Sequence, residues 1–279
     1  MRSAKVVFSD SSGKRIYETI QNQRVRFYFS SKINSLTQDA IIEVFDIDEQ
    51  GNNDIIMYAT RCELLIGESE GNYYSVFAGD IVSGQNIVRD NERYTSYSVV
   101  DGERLISSNM CLTVGSNTTY GDILRSIINE SDSGVEIGIV TEEAENKRVI
   151  RGCSVFGSPE SIIKDIEKTI DAIAYVESSL LYLLKEKDFF YGTSMKIDES
   201  ELIGVPGGDE WYGTFDKRMG PNHIRAGKLI TVNASSGVVI ASSSKGDTST
   251  EEWIESAVYA RSNGHNSLLL SVNDKSIWR

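Results

Sequence analysis

The feature that most constrains this chain is a change of hydrophobic period that happens twice. From Lys5 to about Val100, apolar residues alternate in short segments rich in Val, Ile, Tyr and Phe, such as Arg24–Phe29 and Ala40–Phe45. Successive side chains of a strand point to opposite faces, so this period of two predicts half-buried strands. Gln50-Gly51-Asn52-Asn53 and Glu70-Gly71-Asn72 supply residues that tolerate positive φ, and turns are expected there. An antiparallel barrel or sandwich follows. From about Ile203 the strand pattern returns in Lys228–Val232, Gly237–Ala241, Glu255–Ala260 and Ser267–Val272, a second β unit that ends close to Trp278.

Between the two β regions the period becomes helical. Thr119 with Asp122 forms a capping-box pattern ahead of Ile123, Leu124, Ile127 and Ile128. After Gly157, Ser158 can cap free amides and Pro159 suits a first helical turn. Ile162, Ile166, Ile170 and Ile173 are then spaced to share one face. That face is expected to pack against the segment around Val149 and against Leu180–Leu184, read as a buried strand. The fold class is α+β and mainly β: a first β domain over 1–104, a small α+β middle domain over 105–200 and a second β domain over 201–279. At 279 residues the chain suits about two domains of ~100–200 residues, enough for a core without disulfides or metals.

Chemistry-bearing patterns are sparse. The two histidines, His223 and His265, lie in Gly/Asn-containing stretches with no evident nucleophile partner and no G-x-S-x-G elbow. Gly204-Val205-Pro206-Gly207-Gly208 lacks the Lys-Ser/Thr of a P-loop. The 41 carboxylates show no positional pattern that would single out a glycosidase pair. Asp46–Asp54 begins like a calcium loop, but position twelve is Met57 and Ile55–Tyr58 reads as a strand. An acidic hairpin turn is favoured there, with weak cation binding the alternative. Cys62, Cys111 and Cys153 are widely spaced and read as free buried thiols. No apolar run reaches the ~18 residues of a membrane span, and the N-terminus has no signal-peptide pattern, so synthesis in the host cytoplasm is expected. A formal charge of −13 argues against stable nucleic-acid binding. The same acidity has two readings: simple solubility, or a wall that lets DNA pass without sticking. No catalytic residue, cofactor or metal is assigned.

Several segments, in order, resemble the baseplate hub family of contractile-tailed phages: the late-control-protein-D-like proteins and the T-even baseplate hub, with a further similarity to the hub part of type VI secretion spikes. Tyr58–Gly67 resembles the family's strand hairpin and Val76–Ile81 its F-x-G-x-I strand. Tyr97–Gly102 is similar to a strand ending in Asp-Gly, and Thr118–Leu124 to the helix start that follows it. Arg151–Ser158 resembles the turn that opens the middle-domain helix. Glu201–Pro206 looks like the L-I-G-x-P segment leading into the second β domain, and Pro221–Ile230 like the N-P-x-L-x-P-G-x-L-V strand. Here Asn222-His223 stands where the family often has Asn-Pro.

The resemblance implies two tube-type β domains flanking the middle domain, and a structural, non-enzymatic subunit of the virion tail baseplate. Three copies would set six similar units around a channel, adapting a six-fold tail tube to a three-fold central spike. Implied partners are further copies of itself in a homotrimer, the tail tube or tube-initiator protein, the central spike, baseplate wedge proteins and the tape-measure protein, with genomic DNA in non-sticking transit. Any spike or lysozyme activity would reside in a separate protein. By the same resemblance, Leu202, Ile203, Gly204, Pro206, Pro221 and Gly227 are the assembly residues. A receptor- or carbohydrate-binding virion protein and a hydrolase using His223 or His265 are the alternatives.

Overall fold

The computed structural model describes residues 3–20, 23–33, 35–67, 72–89, 92–185, 188, 195–208, 212–218, 227, 229–232, 237–247 and 254–261. Its N-terminal part consists of β1 (Ser3–Ser9), β2 (Arg15–Glu18), β3 (Val25–Lys32), β4 (Gln38–Phe45), α1 (Glu49–Tyr58), β5 (Arg61–Gly67), β6 (Tyr73–Arg89) and β7 (Glu92–Asp101). The alternation works as expected: Phe27 and Phe29 on β3 are buried and Tyr28 between them is exposed. Ala40, Ile42 and Val44 on β4 point the same way as Phe27 and Phe29. These residues meet Val6, Phe8, Leu64, Ile66 and Tyr97 in one core, with the Phe8 and Tyr97 rings 4.8 Å apart. Each large apolar side chain so buried contributes about 1.5–3 kcal/mol.

The sheet can enclose that core because β6 bends. Its register against β7 shifts between Ile81 and Ser83. Just before the shift, Gly79 lets the β7 backbone pass: a Cβ there would lie 2.7 Å from Val100 C and from Asp101 N. The glycine of the F-x-G-x-I segment is therefore a close-approach residue.

Helix α1 corrects the expected hairpin turn at Asp46–Asp54 and the expected strand at Ile55–Tyr58. Asp48 caps it by accepting from Gly51 N–H at 2.9 Å. Gly51, Asn52 and Ile55 form its buried side, and a Cβ on Gly51 would sit 2.6 Å from the Tyr17 ring. Helix propensity at Gly and Asn is weak; packing on Tyr17 overrides it. The Asp48 carboxylate that suggested a cation loop serves as the cap.

The middle part contains α2 (Glu103–Ser107), β8 (Met110–Val114), α3 (Tyr120–Ser131), β9 (Glu136–Val140), α4 (Glu142–Asn146), β10 (Cys153–Gly157), α5 (Pro159–Ile170), β11 (Ile173–Glu177) and β12 (Leu180–Leu184). Helices α3 and α5 begin where capping chemistry places them: Thr119 accepts from Asp122 N–H and Ser158 from Ser161 N–H. Asp132 (φ 46°) and Asp171 (φ 57°) end these helices in the left-handed conformation. Ile162, Ile166 and Ile170 share the buried face of α5. Ile173, expected on the same face, begins β11 instead, because Asp171 has already terminated the helix. Leu180–Leu184 is a strand as expected, antiparallel to β11 and parallel to β9. A second core joins Leu112, Leu124, Ile127, Ile163, Ile166, Val176 and Leu181, with Val149 packed against it.

Cys62 is buried, whereas Cys111 and Cys153 are exposed, which corrects the expectation of three buried thiols. Cys111 alternates outward on β8 between Met110 and Leu112, both buried. Cys153 opens β10, opposite Val114 at the end of the same two-stranded sheet.

Strands resume as β13 (Met195–Ile197), β14 (Leu202–Gly208), β15 (Tyr212–Arg218), β16 (Leu229–Val232), β17 (Gly237–Asp247) and β18 (Ile254–Arg261). The strand expected at Ser267–Val272 lies outside the described residues. The two β regions form one 13-stranded sheet, because β17 pairs with β3 from Ser243↔Lys32 to Asp247↔Tyr28. No closed barrel forms among the described residues: the main path runs open-ended from β14 to β2. The expected barrel fails as a closed object since β3, which would have to meet β2, pairs with β17 on that side.

Candidate assembly surfaces

The α+β part is fixed to the sheet through a buried polar junction. Gln38 opens β4; its amide donates to the Lys32 carbonyl at 2.9 Å and to the Val176 carbonyl at 2.7 Å, tying the β3–β4 turn to β11. Asp101 closes β7 and accepts from Ser179 N–H at 2.8 Å and Ser179 Oγ at 2.9 Å. Ser179 sits with Ser178 at positive φ in the tight β11–β12 turn, which aims its N–H at the sheet. Ser31 donates to Glu177, and Arg61 donates to Ser179. Arg104 on α2 pairs with Asp80 on β6 at 3.2 Å.

Burial raises the Asp101 carboxyl above the ordinary carboxylate value, against the lowering effect of the Ser179 bonds and Arg61. Asp80 is raised by the same cause, opposed by Arg104 and Arg61. Gly102, at φ +82°, follows Asp101; a Cβ there would lie 2.3 Å from the Leu36 carbonyl oxygen. The Asp-Gly pair is thus a hinge-side lock: the aspartate holds the β11–β12 turn and the glycine lets the chain leave the sheet. The recess left between Phe29, Gln38, Asp101 and Glu177 has room for about one water.

A second surface is set by unpaired strand edges. From Tyr73 to Asp80, β6 lies between β5 and β7. The last bond on the β5 side is Ile81 N–H to the Thr60 carbonyl at 2.9 Å, and from Val82 to Arg89 the strand has β7 alone. At the opposite end of the sheet, β14 pairs with β15 alone among the described residues. The edge strand β2 differs from both: it is short, and Glu18 forms ion pairs with Lys5 and Arg15, charges that discourage further pairing.

Of the residues expected to serve assembly, Leu202, Ile203, Gly204 and Pro206 all fall on β14, whose register against β15 shifts between Ile203 and Gly207. An edge strand with a bulge is where a strand proline belongs. Gly227 occupies a turn at φ +74°, two residues before β16. Pro221 lies outside the described residues, as do His223 and His265. Sequence reasoning missed Gln38, Arg61, Arg104, Glu177 and Ser179. Asp101-Gly102 was the one local signal that pointed to the junction. Among the described residues no group of three or more His, Cys, Asp or Glu side chains is placed to hold a metal, and no helix is long and apolar enough to cross a membrane.

A tail protein from Neisseria meningitidis matches the whole arrangement with a TM-score of 0.66 at 12% identity, over 94% of this chain and 97% of that one. The chain has a phage-tail-protein fold. A prophage MuSo2 tail protein from Shewanella oneidensis shares this tail-protein fold with a TM-score of 0.60 at 10% identity, over 93% of this chain and 98% of that one. So does an Escherichia coli component of the type VI secretion system that is itself similar to the T4 bacteriophage tail proteins gp27 and gp5; its TM-score is 0.57 at 8% identity, over 87% of this chain and 75% of that one. No protein-family model and no curated protein matches the sequence.

Proposed function

We propose that this chain is a structural subunit of a phage baseplate hub: a homotrimer joining the six-fold tail tube to the three-fold central spike and forming part of the DNA channel. The observation that carries this reading is the sheet joint between β17 and β3. It welds two four-stranded antiparallel runs, β14-β15-β18-β17 and β3-β4-β7-β6, side by side in one chain. A subunit with two similar β units supplies six from three copies. The tail-protein fold, shared almost end to end with the Neisseria and Shewanella tail proteins, supports the same reading.

On this reading the neighbours are a tail tube or tube-initiator protein on one face and the central spike on the other. Wedge proteins lie outside, and the tape-measure protein and then DNA occupy the channel. The net charge of −13 suits a channel wall that phosphate backbones do not adhere to. Light scattering coupled to size exclusion, with negative-stain images of the same peak, tests the proposal. A three-subunit ring with a central hole is expected; a chain that remains a monomer at high concentration and alongside a spike protein would overturn it.

A further inference from the structure

We infer that the open edge of β6, Val82–Arg89, takes the β14 strand of a second copy of this chain, so that the sheet runs unbroken from one subunit into the next. The inference rests on the hub reading for the number of copies and goes beyond it in naming the joint.

The argument starts from strand direction. Along β14-β15-β18-β17-β3-β4-β7-β6, every neighbouring pair is antiparallel. This path has an even number of strands, so its two ends run in opposite directions. A β14 placed beside the β6 of another copy, in the same orientation about a ring axis, is therefore antiparallel to it and continues the alternation. Such a contact joins two different patches, is heterologous, and closes when rotation returns to the start. The chain already contains one contact of this kind, β17 on β3, between its own two β units.

The β6 edge is chemically ready. Asp46 N–H bonds the Arg93 carbonyl at 3.3 Å, so the Arg93 backbone faces β4 rather than β6. Its partner Val88 then faces its own N–H and carbonyl away from β7, as do Asn86 and Gly84 by alternation. Three pairs of main-chain groups point at open space. Val82 to Val88 carries no charged residue, and Val82 and Val88 are 53% and 75% exposed. Beside the start of this edge, the end of α1 exposes Ile56, Met57 and Tyr58. An uncharged strand edge flanked by exposed apolar side chains is what isolated subunits normally avoid. The β14 segment, Leu202–Gly208, is likewise free of charge, whereas the remaining end strand, β2, is blunted by its ion pairs.

The test is cross-linking in a background with Cys111→Ser and Cys153→Ser, which leaves only buried Cys62. Gln85→Cys and Val205→Cys are added singly and together, and each protein is treated with a short bis-maleimide. Within one chain the two positions are seven strand spacings apart along the sheet, roughly 34 Å, so an internal link is excluded. The double variant is expected to give covalent dimer and trimer, and each single variant only monomer. A trimer by light scattering without covalent product from the double variant overturns this joint and leaves the hub reading standing. Product from a single variant shows a like-to-like contact and also overturns it. A chain that stays monomeric throughout overturns both. As a second measurement, Val88→Lys is expected to weaken association by about tenfold or more with an unchanged unfolding midpoint; unchanged association would count against the joint.

Discussion

From Tyr73 to Asp80, β6 lies between two strands, and its side chains Val76 and Phe77 are 4% and 7% exposed; from Val82 to Arg89 it keeps one neighbour, and Val82 and Val88 are 53% and 75% exposed. The two halves have similar composition and one continuous backbone. What separates them is the bend at Gly79 and the register shift after Ile81, which send the first half into the core and the second out of it. A single strand therefore divides its labour. One half holds the fold, and the other presents hydrogen-bonding groups to whatever assembles on it. Stability should then fall steeply for changes in the first half and scarcely at all for changes in the second.

The largest effect is expected at the bend. Gly79→Val would push side-chain atoms into the Val100 and Asp101 backbone, and that backbone cannot retreat because Asp101 is bonded to Ser179. A loss of about 4 kcal/mol or more is expected, read as a collapse of the urea midpoint or as failure to fold. Next comes Phe77→Ala, which empties a site in the N-terminal core beside Phe29, 6.2 Å away between ring centroids. A loss of about 3–5 kcal/mol is expected in the same titration. If either change were tolerated within experimental error, the division of β6 into two halves would be wrong.

What the sequence makes legible follows from how local each cause is. Helices α3 and α5 could be read because their caps and periods lie within a dozen residues: Thr119 with Asp122, and Ser158 and Pro159 ahead of Ile162, Ile166 and Ile170. Helix α1 could not, because its glycine and asparagines are helical only against Tyr17. The junction is less legible still, since its bonds join residues 78 to 146 positions apart: Asp101 to Ser179, Gln38 to Val176, Ser31 to Glu177. In the first β unit the strands could be recognised, but the edge left open could not. An edge is a property of the whole pairing path, and Val82–Val88 reads like any other half-buried strand.

The junction offers a finer test, because its central group titrates. The Asp101 carboxyl is held above the ordinary carboxylate value by burial, so the folded state binds that proton more tightly than the unfolded chain does. Its stabilising contribution is complete below the ordinary value of 3.8 and is lost as pH rises through the raised one. Asp101→Asn cannot titrate, and its amide would set a second donor against Ser179 N–H. The substitution is expected to cost about 1–3 kcal/mol on the acid side and progressively less toward neutral pH. Urea titrations of both proteins at a series of pH values read this directly; a gap that widened with pH would mean that Asp101 works as a charged anchor instead.

The smallest expected effect is the one that sharpens the comparison most. Val88→Ala removes a side chain that is already 75% exposed and leaves the β7 pairing untouched, because its backbone groups face the open edge. The change in unfolding free energy is expected to stay within about 0.5 kcal/mol, the range of ordinary surface substitutions. Phe77→Ala, on the same strand eleven residues earlier, serves as the internal reference under identical conditions. A ratio near one between the two losses would mean that the distal half of β6 packs against something within the same chain, and that its edge is not free. A ratio of about five or more would locate the strand's contribution to folding in Tyr73–Asp80. The exposed apolar residues from Val82 onward would then have no role in the stability of the isolated subunit, and their persistence on an otherwise acidic, soluble-type surface would have to be explained by contacts made after folding.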